Sequence, residues 1–95
     1  MHGAFILTTV TVTDPAAFTD YRSAVGKVNA LLGGDMLVRG AVAEVLEGEG
    51  AAGEVVVVLG FADAAAARAY IASPEYAALA PLRAAAGRFT IRVVA

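Results

Sequence analysis

The order of apolar and polar residues at the start of the chain predicts a strand followed by a helix. Residues 4–12, "AFILTTVTV", are rich in the β-branched and aromatic side chains that favour strands. Asp14 then supplies a helix cap, and Pro15 suits the first helical position. Apolar side chains next recur at spacings of three and four, at Phe18, Tyr21, Val25, Val28 and Leu32. This spacing predicts a helix from Pro15 to Leu32, which the glycine pair 33–34 ends.

The middle of the chain reads as two strands joined by a glycine-rich loop. Residues 35–48, "DMLVRGAVAEVLEG", predict a strand in which Gly40 suits a bulge or bend. Residues 48–53, "GEGAAG", predict a flexible hairpin loop. Residues 54–61, "EVVVVLGF", are almost continuously apolar and predict a central strand buried on both faces.

Two further helix signals and a last strand complete the chain. Asp63 is placed to cap an alanine-rich helix that ends near Ser73. The pair Ser73-Pro74 repeats the cap-then-proline signal for a short helix, which Gly87 closes. Residues 88–94, "RFTIRVV", predict the final strand.

The two halves of the chain echo each other. Residues 11–21 and 60–70 both run from a strand end through an aspartate cap into a helix, with a tyrosine seven residues after the aspartate. This order predicts an α+β protein with the ferredoxin-like, split βαβ arrangement: a four-stranded antiparallel sheet with the helices on one face.

Composition favours a homodimer built from one domain, residues 1–95. A chain of 95 residues has a thin core, yet 59% of its residues are hydrophobic and only 17% are charged. Strand alternation also gives apolar residues to the sheet face that the helices leave open. A second copy of the sheet is the simplest cover for that face.

Charge and residue types exclude several function classes. The formal net charge is −2, and the basic residues form no stripe, so we expect no nucleic-acid partner. No apolar run approaches the length of a membrane span. The absence of cysteine excludes disulfides and thiolate chemistry and fits the cytoplasm. With a single histidine and no cysteine, we expect no metal and no cofactor.

Several stretches together resemble one known family. They are "VTDPAAFTDYRSAV" (12–25), "GGDMLVRG" (33–40), "VLEG" (45–48), "VVVVLGF" (55–61) and "YIASPEYAALAPLR" (70–83). The chain thus resembles DUF1330, a family of dimeric α/β-barrel proteins related to antibiotic-biosynthesis monooxygenases and muconolactone isomerases. The resemblance implies a homodimer whose two sheets form a barrel, with a small-molecule pocket between sheet and helices in each subunit. It implies no single activity.

The chain departs from its oxygenase relatives in two ways. It contains no tryptophan, so the Asn/Trp/His set of the oxygenases cannot be assembled. Its only histidine, His2, lies at the N-terminus, which argues against haem. His2 is a conceivable general base, but we expect a disordered terminus there.

Arg39 is the first candidate functional residue. Alternation along the strand places it on the face opposite Met36. A guanidinium there is suited to anchor a carboxylate, enolate or phenolate. The alternative is an ion pair, within the chain or between subunits, with Glu47 or Asp35 as its partner.

The other candidates are a carboxylate, three tyrosines and a second arginine. Glu47 is a general base if it is partly buried, and otherwise a solvated residue at a strand end. Tyr21, Tyr70 and Tyr76 lie on helices that face the sheet, either as ligand-binding hydroxyls or as core aromatics with their hydroxyls at the rim. Arg83 follows Tyr76 by two helical turns and either reaches the same ligand or lies on the surface near a helix C-terminus.

These residues support two hypotheses. In the first, the protein is a cofactor-independent isomerase or cyclase of specialised metabolism, in which Arg39 polarises an oxygen and Tyr76 or Glu47 handles a proton. In the second, it is a non-catalytic homodimer that binds a metabolite.

Overall fold

The first strand and the first helix form where the apolar pattern predicts them. In the computed structural model, which describes residues 1–95, β1 spans Ala4–Val12 and α1 spans Pro15–Leu32. The carboxylate of Asp14 accepts hydrogen bonds from the backbone N–H groups of Ala16 and Ala17, both at 3.1 Å. These bonds satisfy two of the N–H groups that a helix leaves unpaired at its start.

Replacing Asp14 by alanine tests this cap. We expect the free energy of unfolding to fall by about 1 kcal/mol, because two N–H groups lose their acceptor. Asp20→Ala is the matched control, since Asp20 is also an exposed aspartate of α1 but does not cap it. Urea unfolding of both variants checks the prediction, and equal losses would contradict it.

The remaining elements complete a split βαβ fold. They are β2 (Asp35–Ala41), β3 (Val55–Phe61), α2 (Ala64–Ala72), α3 (Pro74–Ala77), α4 (Ala80–Ala86) and β4 (Gly87–Val94). The strands form one sheet in the order β2-β3-β1-β4, and every neighbouring pair is antiparallel. The predicted ferredoxin-like α+β fold is therefore confirmed.

The second strand is shorter than predicted, and its irregularity lies elsewhere. β2 ends at Ala41, which pairs with Val55 at the start of β3. The connection 42–54 therefore takes in residues that were predicted as strand, because β3 offers them no partner. The bulge lies between Met36 and Val38 and not at Gly40.

The short helix predicted after Ser73 is two helices. The hydroxyl of Ser73 caps α3 by accepting the N–H of Tyr76 at 3.1 Å, as predicted. The helix then breaks between α3 and α4 because Pro81 has no N–H to donate to the preceding turn. The N–H of Leu79 instead bonds the carbonyl of Tyr76 at 3.0 Å, which tightens the turn.

The core lies on one face of the sheet. Ile6 of β1 and Leu59 and Phe61 of β3 are buried there beneath the helices. The opposite face, which we call the outer face, carries half-buried or exposed apolar side chains: Phe5, Leu7, Val38, Val56, Val58 and Val94. The prediction that the central strand is buried on both faces is therefore wrong for the single chain, since no helix covers the outer face. None of the helices is long and apolar enough to cross a membrane.

Candidate ligand-binding site

A cavity of about 300 Å³ lies between α1 and the helix-covered face of the sheet. Its walls are mainly apolar and come from α1 and all four strands, with one tyrosine each from α2 and α3. The apolar lining includes Ile6, Val10, Val25, Val57, Leu59 and Phe89. A mostly apolar cavity of this size with a few polar groups is typical of a small-molecule site.

All three tyrosines of the chain line this cavity. Tyr21 comes from α1, Tyr70 from α2 and Tyr76 from α3, and none is more than 7% exposed. The rings of Tyr70 and Tyr76 lie 5.0 Å apart, and Tyr21 packs edge-on against Phe89, also at 5.0 Å. The structure therefore brings together the three tyrosines that the sequence analysis singled out.

The environment of the tyrosines keeps their hydroxyl groups protonated. Burial raises the pKa of Tyr21 and of Tyr70, and the neighbouring Tyr76 raises both further. Burial also raises the pKa of Tyr76, although the nearby Arg83 opposes the shift. A phenol with a raised pKa is a hydrogen-bond donor at neutral pH and a poor base.

These shifts predict how the protein behaves in alkali. An ordinary tyrosine has a pKa of 10.0. Above that pH the unfolded chain loses phenolic protons that the folded chain keeps, so the free energy of unfolding falls as the pH rises. We expect tyrosinate absorbance to appear only as the far-UV circular dichroism of the folded state disappears. Tyrosinate formed near the ordinary pKa by a fully folded chain would contradict this.

Arg39 lines the cavity because of the bulge in β2. Met36 pairs with Leu59, and Arg39 pairs with Val57, so both lie on the helix-covered face. Simple alternation placed Arg39 on the face opposite Met36, and this prediction is wrong. Leu37 is the extra, unpaired residue of the bulge, so the residues after it change face. The residue is exposed at the edge of the sheet, where its guanidinium borders the cavity.

Arg39 makes no salt bridge within the chain. The only one present joins His2 and Asp35, with 2.7 Å between Nε2 and Oδ2. Neither Asp35 nor Glu47 therefore pairs with Arg39 in the single chain. Glu47 is exposed, lies in the connection 42–54 and does not line the cavity.

Arg83 contacts both the ring and the backbone of Tyr76. Its guanidinium carbon lies 4.4 Å from the centre of the Tyr76 ring, and its Nη1 donates to the Tyr76 carbonyl at 3.3 Å. It lines a shallow groove beside β4 and not the cavity. Arg83 thus contacts Tyr76 directly, and its charge opposes the rise in the pKa of all three tyrosines.

His2 is ordered and lies away from the cavity. It is half-buried, covers Gly60 on the outer face and bonds Asp35. The expectation of a disordered terminus is wrong here, because the small Gly60 leaves room for the imidazole against the sheet.

Three polar residues of the cavity were not predicted from the sequence: Thr8, Arg22 and Asn29. Asn29 accepts a hydrogen bond from the Tyr70 hydroxyl, and Arg22 places its guanidinium carbon 6.0 Å from the centre of the Phe18 ring. Asn29 follows Tyr21 by eight residues and Val25 by four, so the spacing of the apolar positions already placed it on the inner side of α1.

The charges of the cavity favour a ligand with acceptor oxygens. Apart from the tyrosines, its ionisable lining residues are Arg22 and Arg39, and no aspartate, glutamate or histidine lines it. Nowhere in the chain do three histidine, aspartate or glutamate side chains come together to hold a metal ion. An oxyanion or a carbonyl group is the natural counterpart of such a lining.

The strand order β2-β3-β1-β4 and the helices on one face of the sheet define a protein of the ferredoxin-like α+β class. A family model described as "Domain of unknown function (DUF1330)" matches residues 3–95, so the chain belongs to that family. The resemblance noted in the sequence is thereby confirmed. No curated protein sequence matches the chain.

Solved structures from several organisms share the fold. A protein of unknown function, RPA0582 from Rhodopseudomonas palustris, has a TM-score of 0.71 at 19% identity, covering 99% of this chain and 82% of that one. SnoaB, a cofactor-independent oxygenase from Streptomyces nogalater, has a TM-score of 0.64 at 15% identity, covering 100% and 93%. An uncharacterized NIPSNAP domain protein from Burkholderia xenovorans has a TM-score of 0.58 at 12% identity, covering 97% and 92%. At these identities the likeness shows the fold alone.

Proposed function

We propose that the protein is a cytoplasmic homodimer that binds a small, largely apolar metabolite bearing a carboxylate or carbonyl group. The cavity between α1 and the sheet carries this proposal, because it combines apolar walls with donor groups and contains no acidic residue. Arg39 is the anchor of the acid group, since its guanidinium borders the cavity and has no salt-bridge partner in its own chain.

The bound metabolite undergoes an isomerase-type or cyclase-type reaction in specialised metabolism without a cofactor. In this reaction Arg39 polarises an oxygen of the metabolite. The protonated hydroxyl of Tyr76 donates a hydrogen bond to the oxygen on which negative charge develops. Tyr76 is better placed than Glu47 to handle a proton, because Glu47 lies outside the cavity of its own chain. The structural neighbour SnoaB, a cofactor-independent oxygenase, supports chemistry without a cofactor on this fold.

A second candidate function is metabolite binding without catalysis. The specific observation in its favour is that no aspartate, glutamate, histidine or lysine lines the cavity, so the site holds no side chain that ordinarily serves as a base near neutral pH. Conversion of a bound acid to a product of different mass or retention time would distinguish the enzyme from the carrier.

Methyl NMR tests the binding proposal within one sample. Benzoate, salicylate and cyclohexanecarboxylate are titrated into protein labelled at its isoleucine, leucine and valine methyl groups. We expect shifts at Ile6, Val57 and Leu59, which line the cavity, while Leu7 and Val58 of the outer face serve as internal controls. Shifts confined to the outer face, or none with any acid, would contradict the proposal.

The homodimer is proposed to form through the outer face of the sheet. Leu7 and Val58 pair across β1 and β3 near its centre, and both are only half-buried in the single chain. Val58→Lys places a charge in this interface. We expect dimerisation to weaken by at least about 100-fold, because burying an unpaired charge costs several kcal/mol. Sedimentation of Val58→Lys beside Ala30→Lys, an exposed site on α1, checks the expectation.

A dimer of unchanged affinity in Val58→Lys would contradict the proposed interface. A monomer formed equally by Ala30→Lys would show that added charge, and not the outer face, determines association.

A further inference from the structure

We propose that Asn29 selects a carbonyl oxygen inside the cavity, and that Tyr70 is the positioning residue that orients its amide. The inference deepens the proposed function, on which it rests, because it assigns a second polar contact to the same ligand. With Arg39 as the anchor of an acid group, the ligand class becomes an apolar oxo acid.

The hydrogen bond between Tyr70 and Asn29 determines which way the amide lies. The Tyr70 hydroxyl donates to Oδ1 of Asn29, so the amide oxygen is already engaged. The Tyr70 ring is itself held firmly, because it is 4% exposed and packs against Phe61 at 5.3 Å and Tyr76 at 5.0 Å. The donor that orients Asn29 is therefore part of the core.

The amide nitrogen of Asn29 remains available. Nδ2 carries two N–H donors, and it has no hydrogen-bond partner within the chain although Asn29 is half-buried and lines the cavity. No buried side-chain nitrogen or oxygen of the chain lacks a hydrogen-bond partner, so Nδ2 reaches solvent in the cavity. A ligand that displaces this solvent leaves Nδ2 unpaired unless it brings an acceptor. A ketone or aldehyde oxygen fits it, whereas a hydrocarbon of the same shape leaves it unpaired.

Asn29 and Arg39 present separate donors to the same cavity. Asn29 comes from α1, and Arg39 comes from the edge strand β2. The charged guanidinium favours an anionic group, and the neutral amide favours a neutral carbonyl. A ligand that has both groups on an apolar frame satisfies both donors at once.

The test compares two compounds that differ in one oxygen, indanone and indane. Their dissociation constants are measured for the wild type, Asn29→Asp and Tyr70→Phe. Asn29→Asp keeps an acceptor for the Tyr70 hydroxyl, so the core bond survives, but it removes the N–H donors. We expect the preference for indanone over indane to fall about tenfold in Asn29→Asp, the loss of one hydrogen bond.

Tyr70→Phe separates positioning from packing. It keeps the ring in the core and removes only the hydroxyl that orients Asn29. We expect the preference for indanone to fall about threefold, because the hydrogen bond from Asn29 to the indanone oxygen is weakened. The affinity for indane, which makes no such bond, is expected to change less than about twofold. A purely structural role would instead change the affinities for both compounds equally.

The outcomes separate this inference from the proposed function. An unchanged indanone preference in Asn29→Asp, with both compounds bound, would overturn the role of Asn29 and leave the cavity as a binding site. If the wild type binds benzoate but neither indanone nor indane, the inference is overturned and the proposed function stands. If it binds none of the acids and neither of these compounds, both are overturned.

Discussion

Replacing Arg39 by methionine is expected to weaken the binding of small carboxylic acids by at least about 100-fold, because a bidentate, charge-assisted contact is lost. Methionine keeps an unbranched apolar stem in place of the arginine stem and removes the guanidinium, so the edge of β2 keeps most of its apolar contacts. The fold is expected to survive, since Arg39 makes no salt bridge within its chain. Isothermal titration with benzoate and with the other acids of the panel measures the effect.

Arg68→Met is the matched control for this experiment. Arg68 is an exposed arginine of α2, it does not line the cavity, and its replacement changes the net charge by the same amount. We expect the affinity of Arg68→Met for acids to equal that of the wild type. Equal losses in the two variants would show that net charge, and not a contact with Arg39, attracts the acids. Unfolding or dissociation of Arg39→Met would assign this residue to the architecture of the protein.

Replacing Gly26 by phenylalanine is expected to abolish ligand binding without destabilising the fold. Gly26 lies within α1 and lines the cavity, and a Cβ placed on it meets no atom within 4 Å. A phenylalanine ring has room to enter the cavity from this position and to occupy the space of the ligand. Glycine within a helix costs about 1 kcal/mol relative to alanine, so its removal offsets the cost of ordering the ring.

Gly26→Ala is the companion variant. Alanine favours the helix more than glycine does, so we expect the free energy of unfolding to rise by about 1 kcal/mol. It adds only one carbon to the side of the cavity, so we expect acids still to bind. The pair separates helix propensity from cavity filling. Undiminished acid binding by Gly26→Phe would contradict the assignment of the site to this cavity.

Local signals explain why much of the fold was predictable from the sequence. Asp14 and Asp63 accept hydrogen bonds from backbone N–H groups in the first turns of their helices. Gly33 ends α1 with a φ of 78°, in the left-handed region that glycine favours. Each of these features depends on residues within one helical turn. The order of the elements then left few ways to pair the strands.

Features set by distant contacts were predicted less well. The bulge of β2 depends on how Met36 and Val38 pair with β3, and it decides on which face Arg39 lies. The end of β2 at Ala41 likewise depends on where β3 begins. Sequence alternation contains neither piece of information, because both are properties of the pairing and not of one strand.

The candidate site was predictable in part. The tyrosines were identified because helix periodicity directs them toward the sheet, and the structure brings them to one cavity. Asn29 was missed because helix spacing places it on the inner side of α1 but does not tell a ligand-binding amide from a structural one. Its role becomes visible only through the hydroxyl of Tyr70, which lies 41 residues further along the chain.

Native mass spectrometry of the purified wild type, alone and with the panel of small acids, shows whether the protein is a dimer that binds an acid. It reports the number of subunits and the bound mass in one spectrum. We expect a dimer that retains one acid molecule for each subunit. A protein that retains none of the acids would contradict this expectation.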